Sequence, residues 1–326
     1  MGRSGRRPVR VAVIGVGSLG QHHARIYAGL EEADLVAVVD ADPERSAAVA
    51  SRHGVAALSS LTDLPRDLDA VSVAVPTSAH ALIVEACLRR DLAVLVEKPM
   101  AASLEEAAAM ALQAERAGRP LLVGHTERFN PIVRAARRHV RDPRFIETHR
   151  LGVFTARSTD VDVVLDLMIH DLDVILSLVP SPIVSIDSVG VHALTDKVDI
   201  ANARLRFENG CVANVTASRI STDRVRKLRV FEADSYLSVD YAGQEGVIYT
   251  LRRPPGAPPE IVREQLSADH EEPLLVELRA FLQRARGEDA PGVTADEGLR
   301  ALETALRVVE QIAAAGGMTR DRDSVR

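Results

Sequence analysis

The 326-residue chain predicts an α/β plus α+β architecture: an N-terminal doubly wound domain with a parallel sheet, then a C-terminal α+β domain with a mostly antiparallel open sheet. Three observations predict it. Short apolar runs alternate with helix-length segments as far as Gly124, a glycine-rich turn follows the first run, and closely spaced strand-like runs begin at residue 183. We place the domains at 1–126 and 127–326.

The first domain is predicted from its strand and helix rhythm. Short apolar runs bounded by turn residues are typical of strands buried on both faces. The predicted strands are 11–14, 35–39, 70–75, 92–96 and 121–123. The segments between them are long enough for helices, which is what connections between parallel strands require.

The second domain is predicted from a change in this pattern after Arg128. Its predicted helices are 131–141, 161–179, 273–286 and 294–315, and its predicted strands are 145–154, 183–191, 199–207, 212–218, 228–232 and 236–239. Turn residues such as Glu208-Asn209-Gly210 lie between consecutive strands, which favours antiparallel pairing.

The glycine-rich turn is Gly15-Val16-Gly17-Ser18-Leu19-Gly20, between a predicted strand and a predicted helix. In a Rossmann nucleotide-binding unit the first glycine permits the tight turn, the second lets the backbone approach a pyrophosphate, and the third allows close packing of the helix. N–H groups at the helix start then bind the phosphates. A bare glycine motif also fits an ordinary turn, so the flanking elements carry this prediction.

Asp40 ends the second predicted strand, twenty residues after Gly20. A carboxylate there accepts hydrogen bonds from the adenosine ribose hydroxyls, which favours NAD over NADP. Asp42 and Arg45 leave the alternative open, because an arginine just past the strand could receive a 2′-phosphate.

Lys98 follows the predicted strand 92–96, at the sheet edge where doubly wound folds bind their ligands. Pro99 keeps Lys98 extended. An ammonium group there could polarise a carbonyl and stabilise negative charge during hydride transfer, or it could simply be solvated.

Asp166 and His170 are four residues apart on a predicted helix, so the carboxylate could orient the imidazole. The pair suits a general base for an alcohol, with His170 taking the hydroxyl proton. A surface ion pair is the plainer interpretation. A metal site formed with Asp171 lacks further clustered ligands.

The segment 124–131 joins the two predicted domains. Asn130 before Pro131 reads as a helix N-cap. His125 and Arg128 could face a substrate, with Arg128 suited to a carboxylate or diphosphate. We assign substrate binding to His125, Arg128, Asn130 and Asp171.

Composition narrows the class of protein. Hydrophobic residues make up 46% and charged residues 26%, as in soluble globular domains, and a net charge of −6 argues against a nucleic-acid binder. No apolar stretch reaches membrane-spanning length. Two cysteines without close spacing suit a reducing compartment, and we expect a cytoplasmic protein.

The ordered motifs GVGSLG, AVPTSAH (74–80), EKP (97–99) and DLMIHD (166–171) resemble the Gfo/Idh/MocA family of sugar and inositol oxidoreductases. The resemblance implies a Rossmann domain followed by an α+β domain whose open sheet commonly forms dimers or tetramers. It places Lys98, Asp166 and His170 against the nicotinamide and the sugar. It also implies that the cofactor is lined by Pro76, Thr77, His80 and Glu97.

Within the family, HTERFNP (125–131) and VLDLMIHDLDVI (164–175) look most like the branch that oxidises the C3 hydroxyl of UDP-N-acetylglucosamine. That resemblance implies a 3-keto sugar, aminated by a separate pyridoxal-phosphate aminotransferase on the way to lipid A. Alternatives are a dehydrogenase of another sugar or inositol, a glycosidase of the same fold that uses NAD transiently, and a redox-inactive NAD-binding sensor.

Overall fold

The computed structural model describes residues 7–155 and 161–316. Its strands are β1 (Val9–Ile14), β2 (Ala33–Val39), β3 (Ala56–Leu58), β4 (Ala70–Val73), β5 (Ala93–Glu97), β6 (Leu121–Gly124), β7 (Phe145–Leu151), β8 (Ile183–Val191), β9 (Ile200–Phe207), β10 (Val212–Ser218), β11 (Val225–Phe231), β12 (Ser235–Asp240), β13 (Glu245–Arg252) and β14 (Glu260–Leu266). Its helices are α1 (Gly20–Gly29), α2 (Pro43–His53), α3 (His80–Leu88), α4 (Leu104–Ala117), α5 (Pro131–Arg137), α6 (Ile169–Leu178), α7 (Pro273–Ala285) and α8 (Ala295–Ala314).

Two compact units make up the described chain. The first contains residues up to Thr126 together with Glu272–Leu299, and the second contains Glu127–Glu271 and the chain from Arg300 onward. This differs from the predicted domain 127–326, because residues 272–299 belong to the first unit. The reason is the apolar face of α7, whose Leu278, Phe281 and Leu282 are buried in the core of the first sheet.

The first unit is a parallel sheet in the order β3-β2-β1-β4-β5-β6. This is the order of dinucleotide-binding sheets, in which the strand order reverses beside β1 and ligands bind outside the carboxyl ends of the strands. The central strands β4 and β5 are buried at every position, as their continuous apolar runs predict. The fold therefore brings the turn after β1 and the segment after β5 to the same edge of the sheet.

The second unit is built on a sheet in the order β14-β13-β12-β11-β7-β10-β9-β8. Its pairings are antiparallel except for the parallel pair of β7 and β10. Side chains of β7 alternate between buried and half-buried, so one sheet face packs on the core with α5, α6 and α8.

Two features depart from the predicted elements. Strands β3, β13 and β14 were not predicted, since β3 is short and β13 and β14 flank the proline-rich segment 252–260 at the sheet edge. The predicted helix 161–179 begins as a π-helical turn, Val164–Met168, before α6.

Among the described residues, no helix combines the length and apolar character needed to span a membrane.

Candidate active site

The glycine-rich turn lies between β1 and α1, as predicted. Gly15 has a φ of +83°, and a Cβ built at Gly20 would lie 1.8 Å from the carbonyl oxygen of Gly15, so neither position accepts a larger residue. A Cβ built at Gly17 meets no atom within 4 Å. Ser18 and Leu19 are exposed, and Leu19 provides no side-chain cap for α1. An open turn at an uncapped helix N-terminus is suited to bind a pyrophosphate.

Asp40 stands beside this turn at the end of β2 and is buried. Its Oδ2 accepts a hydrogen bond from the Val16 backbone N–H at 2.8 Å, which ties the carboxylate to the turn. The Arg45 guanidinium lies 3.2 Å from Asp40 Oδ1 and 3.2 Å from Asp42 Oδ2. Both acids thus engage the arginine that could have received a 2′-phosphate.

Lys98 directly follows β5 and is half-buried, and the Lys98–Pro99 peptide bond is cis. Glu97, the last residue of β5, is buried, and its Oε1 lies 3.0 Å from Nε2 of the buried His23. Burial opposes ionisation of Glu97, but the His23 hydrogen bond and the charges of His23 and Lys98 hold its pKa below the ordinary value. Glu97 is therefore a carboxylate near neutral pH.

His80 bridges two loops of the same unit. Its Nε2 lies 3.0 Å from the Val75 carbonyl oxygen, and its Nδ1 lies 3.1 Å from that of Pro99. The ring is 1% exposed with both nitrogens directed at backbone carbonyls, and the place of His80 in the cofactor lining stays a prediction. Pro76 is exposed and Thr77 half-buried in the turn that His80 supports.

In the second unit, Asp166 lies on the π-helical turn and His170 in the first turn of α6. Both side chains are half-buried. The Ile169 backbone N–H donates to the Val164 carbonyl, which is the wider hydrogen-bond spacing of a π-turn. Such turns are frequent at functional sites, and this one contains Asp166 and ends two residues before His170.

Asp171 belongs to a buried ion pair. The Arg150 guanidinium donates to both Asp171 carboxylate oxygens, at 2.7 and 3.1 Å, and to Glu127 Oε1 at 2.8 Å. Burial disfavours the charge on Arg150, yet these carboxylates raise its pKa above the ordinary value. Asp171 is 1% exposed and anchors α6 to β7 through Arg150, and its contact with a substrate stays a prediction.

The other predicted substrate residues also sit within the protein framework. Arg128 donates to both oxygens of the Asp173 carboxylate, at 2.8 and 3.1 Å. Asn130 caps α5 through the Ile132 backbone N–H and donates to the Tyr241 carbonyl, so its N-cap role is confirmed. His125 is buried after β6. Substrate binding by Arg128, Asn130 and His125 stays a prediction.

Comparison with known families decides the class of protein. Residues 9–125 match the family described as "Oxidoreductase family, NAD-binding Rossmann fold", and residues 132–235 match the "GFO/IDH/MocA C-terminal domain". The chain belongs to the Gfo/Idh/MocA oxidoreductase family. The predicted family, fold class and NAD-dependent oxidoreductase chemistry on CH–OH groups are confirmed.

Individual relatives narrow the comparison within this family. The chain is 37% identical, over 92% of its length and 96% of the relative's, to UDP-N-acetylglucosamine 3-dehydrogenase from Acidithiobacillus ferrooxidans. A solved structure of that enzyme covers 94% of this chain and 98% of its own, with a TM-score of 0.88. Inositol 2-dehydrogenase 1 from Saccharopolyspora erythraea is 30% identical over 93% of this chain and 94% of its own.

The residues of the first unit fit NAD. The open Gly17 position and the uncapped α1 N-terminus suit the pyrophosphate, and the Asp40 carboxylate suits ribose hydroxyls. Among the described residues, no group of three or more His, Cys, Asp and Glu side chains is placed to hold a metal.

Sequence reasoning missed His23 and Arg150. His23 follows Gly20 by three residues on the apolar face of α1, beside Ala24 and Tyr27, and a histidine on such a face is a detectable signal. Arg150 occupies an inward position of the alternating strand β7, where a charged residue requires a buried partner.

Proposed function

We propose that this chain oxidises the C3 hydroxyl of UDP-N-acetylglucosamine to the 3-keto sugar with NAD. The observation that carries the proposal is the 37% identity to UDP-N-acetylglucosamine 3-dehydrogenase over nearly the whole of both chains. Lys98 after β5, with Asp166 and His170 at the π-turn, supplies the side chains that such a reaction needs.

NAD supplies the hydride acceptor for the carbinol hydrogen. His170 takes the hydroxyl proton on an imidazole nitrogen, and Asp166 sets the tautomer and orientation of that ring. The Lys98 ammonium group stabilises the negative charge that develops on the substrate oxygen as the proton leaves. Positioned proton transfer of this kind contributes roughly 10²–10⁴-fold to a rate.

The product is a ketone at a carbon that carried a hydroxyl group. A pyridoxal-phosphate aminotransferase that converts this ketone to an amine is the partner enzyme we propose downstream. Removal of the keto sugar by amination also draws an unfavourable oxidation forward, so the two activities are best assayed together.

The decisive assay follows NADH absorbance with NAD and a panel of UDP-sugars, free sugars and inositols, with the aminotransferase, glutamate and pyridoxal phosphate present. We expect a signal with UDP-N-acetylglucosamine. Inositols are the second candidate substrates, because an inositol 2-dehydrogenase is 30% identical to this chain. Activity only on inositols would show that the substrate is an inositol and not a UDP-sugar. Release of free sugar without net NADH would indicate a glycosidase.

Variants test the residue roles. Lys98→Ala and His170→Ala are expected to lower kcat by about 10²-fold or more while NAD still binds. The matched controls are Lys197→Ala and His139→Ala, both at exposed positions. Turnover that survives both active-site substitutions would overturn the assignment, and NAD binding without turnover in the wild type would favour a redox-inactive sensor.

We further propose a homodimer or homotetramer formed through the outer face of the second sheet. Phe145, Phe231, Tyr236 and Tyr249 are successive register partners on β7, β11, β12 and β13, with ring centroids 4.6 to 5.9 Å apart. A half-buried aromatic row of this kind is suited to burial against a second copy. Light scattering of Tyr236→Glu against wild type tests this: a single monomeric species in both would reject it.

A further inference from the structure

His23 lies in the first turn of α1, on the face of the helix that packs into the protein, and is 1% exposed. Its Nε2 lies 3.0 Å from Glu97 Oε1, while its buried Nδ1 has no hydrogen-bond partner among the described residues. Because Glu97 is ionised, Nε2 carries the proton and donates it. The polar contact of this imidazole is therefore directed at the Glu97 carboxylate.

Glu97 is held on its other side as well. Its Oε2 accepts a hydrogen bond from the Lys98 backbone N–H at 3.3 Å, so the carboxylate and the next peptide form a local unit. A Cβ built at Gly124 on the adjacent strand would lie 3.1 Å from the Glu97 carboxyl carbon, so this glycine leaves room for the carboxylate. Rotation of the Glu97 side chain would thus disturb the start of the Lys98 segment.

A buried carboxylate adopts the orientation in which its hydrogen bonds are satisfied, since an unsatisfied charge in the interior is costly. Here the donors come from α1 and from the Lys98 backbone. We propose that His23 is a positioning residue, which acts through the Glu97 carboxylate to hold Lys98 in the orientation that hydride transfer requires. The inference rests on the proposed function only for the part that Lys98 plays in the reaction.

The chain offers a direct probe of this arrangement, because only Lys98, Lys197 and Lys227 are lysines among its 40 lysine and arginine residues. Reductive methylation with ¹³C-formaldehyde labels these amines and preserves their charge. Lys197→Arg and Lys227→Arg variants assign the signals. The chemical shift of the Lys98 label then reports its surroundings in protein without cofactor or substrate.

Two amide substitutions separate the hydrogen bond from packing. The terminal amide of glutamine reaches about as far as histidine Nε2, whereas that of asparagine reaches only about as far as Nδ1. We expect His23→Asn to displace the Lys98 signal and His23→Gln to restore it, with Lys197 and Lys227 unchanged. His22→Gln, at the exposed neighbouring position, is the matched control. An unmoved Lys98 signal in His23→Asn would overturn the inference.

Glu97→Gln provides a second test, and its effect as a single variant does not depend on the folding of the histidine variants. It is expected to displace the Lys98 signal by itself, and the double variant with His23→Asn should add no further displacement, because both changes break one linkage. A further displacement in the double variant would show that His23 does not act through Glu97.

Kinetics complete the test. His23→Asn should lower kcat about tenfold, with smaller changes in KM for NAD, because misplacement of a reacting group affects the transition state more than binding. His23→Gln should retain kcat near wild type. Absence of turnover by the wild type on every substrate in the panel would reject the proposed function, whereas the Lys98 signal would still decide the role of His23.

Discussion

The Asp40 carboxylate and the Arg45 guanidinium lie 3.2 Å apart at the end of β2, so the acid and the base that we propose as determinants of cofactor choice are paired. The carboxylate attracts ribose hydroxyls and repels a phosphate, while Asp42 shares the arginine. NAD preference follows from this arrangement, because a 2′-phosphate would have to displace an ion pair and approach a negative charge.

Asp40→Asn tests this residue-level argument. Asparagine retains an acceptor for the Val16 N–H but loses the charge, so we expect kcat/KM for NAD to fall about tenfold or more and the preference over NADP to narrow. The measurement is kcat/KM with both cofactors. Asp63→Asn, at an exposed position of the same unit, should change neither value. An unchanged ratio in Asp40→Asn would show that other groups select the cofactor.

Residues whose position follows from the local sequence pattern were predictable, and residues whose role depends on a distant partner were not. Gly15, Gly17, Asp40 and Lys98 follow from position at strand ends. Asp171 was predicted to bind substrate because a carboxylate can do so. Its observed partner, Arg150, lies on β7, and nothing in the sequence near Asp171 indicates that pairing.

Gly20 and Gly17 of the strand-to-helix turn differ in the space around them. A Cβ at Gly20 would clash with the Gly15 carbonyl, whereas one at Gly17 would point into open space. Gly20 is therefore required by the fold, and we propose that Gly17 gives a ligand access to the backbone.

Gly20→Ala and Gly17→Ala should separate these roles. Gly20→Ala is expected to destabilise the protein by about 1–3 kcal/mol or more, as overpacking does. Gly17→Ala should leave the free energy of unfolding nearly unchanged and weaken NAD binding. Urea unfolding and calorimetric NAD titration measure the two effects. Gly29→Ala, in α1 with no atom within 4 Å of the built Cβ, is the control.

The first turn of α6 is joined to β7 by the buried pair of Asp171 and Arg150. Asp171→Asn removes one of the two carboxylates that pair with the buried Arg150 guanidinium, while Glu127 remains, so it should destabilise the protein by about 1.5–3 kcal/mol through the loss of charge-assisted hydrogen bonds. Glu264→Gln breaks the exposed pair with Arg252 and should cost less than about 1 kcal/mol. Chemical unfolding compares them. Equal effects would mean that the buried pair does not anchor α6.

Stability of the whole molecule should depend on pH through His80. Burial lowers the pKa of His80 below its ordinary value of 6.5, against the opposing effect of the Val75, Met100 and Pro99 carbonyls. The His80 imidazole therefore binds a proton more readily in the unfolded chain than in the folded chain. Stability from neutral His80 is complete above about pH 6.5 and is lost as pH falls through the folded-state pKa.

His80→Gln tests this linkage, because glutamine does not titrate. Between about pH 7.5 and pH 5.5, the free energy of unfolding should decline more steeply for wild type than for His80→Gln. Urea unfolding at several pH values measures both slopes. Parallel slopes would show that His80 contributes nothing to the pH dependence of stability.

Sequence pattern alone was sufficient for the fold class, the family, the glycine-rich turn and the strand-end position of Lys98. The fold class depends on hydrophobic periodicity, and the glycine-rich turn and the Lys98 position depend on local turn chemistry. The family depends on a resemblance carried by ordered motifs between residues 15 and 171. Tertiary structure decided the placement of residues 272–299 in the first unit, the pairing of Arg150 with Asp171, and the contact of His23 with Glu97 across 74 residues of chain. The physical reason is that a buried polar group requires a partner, but only the folded chain determines which distant residue supplies it.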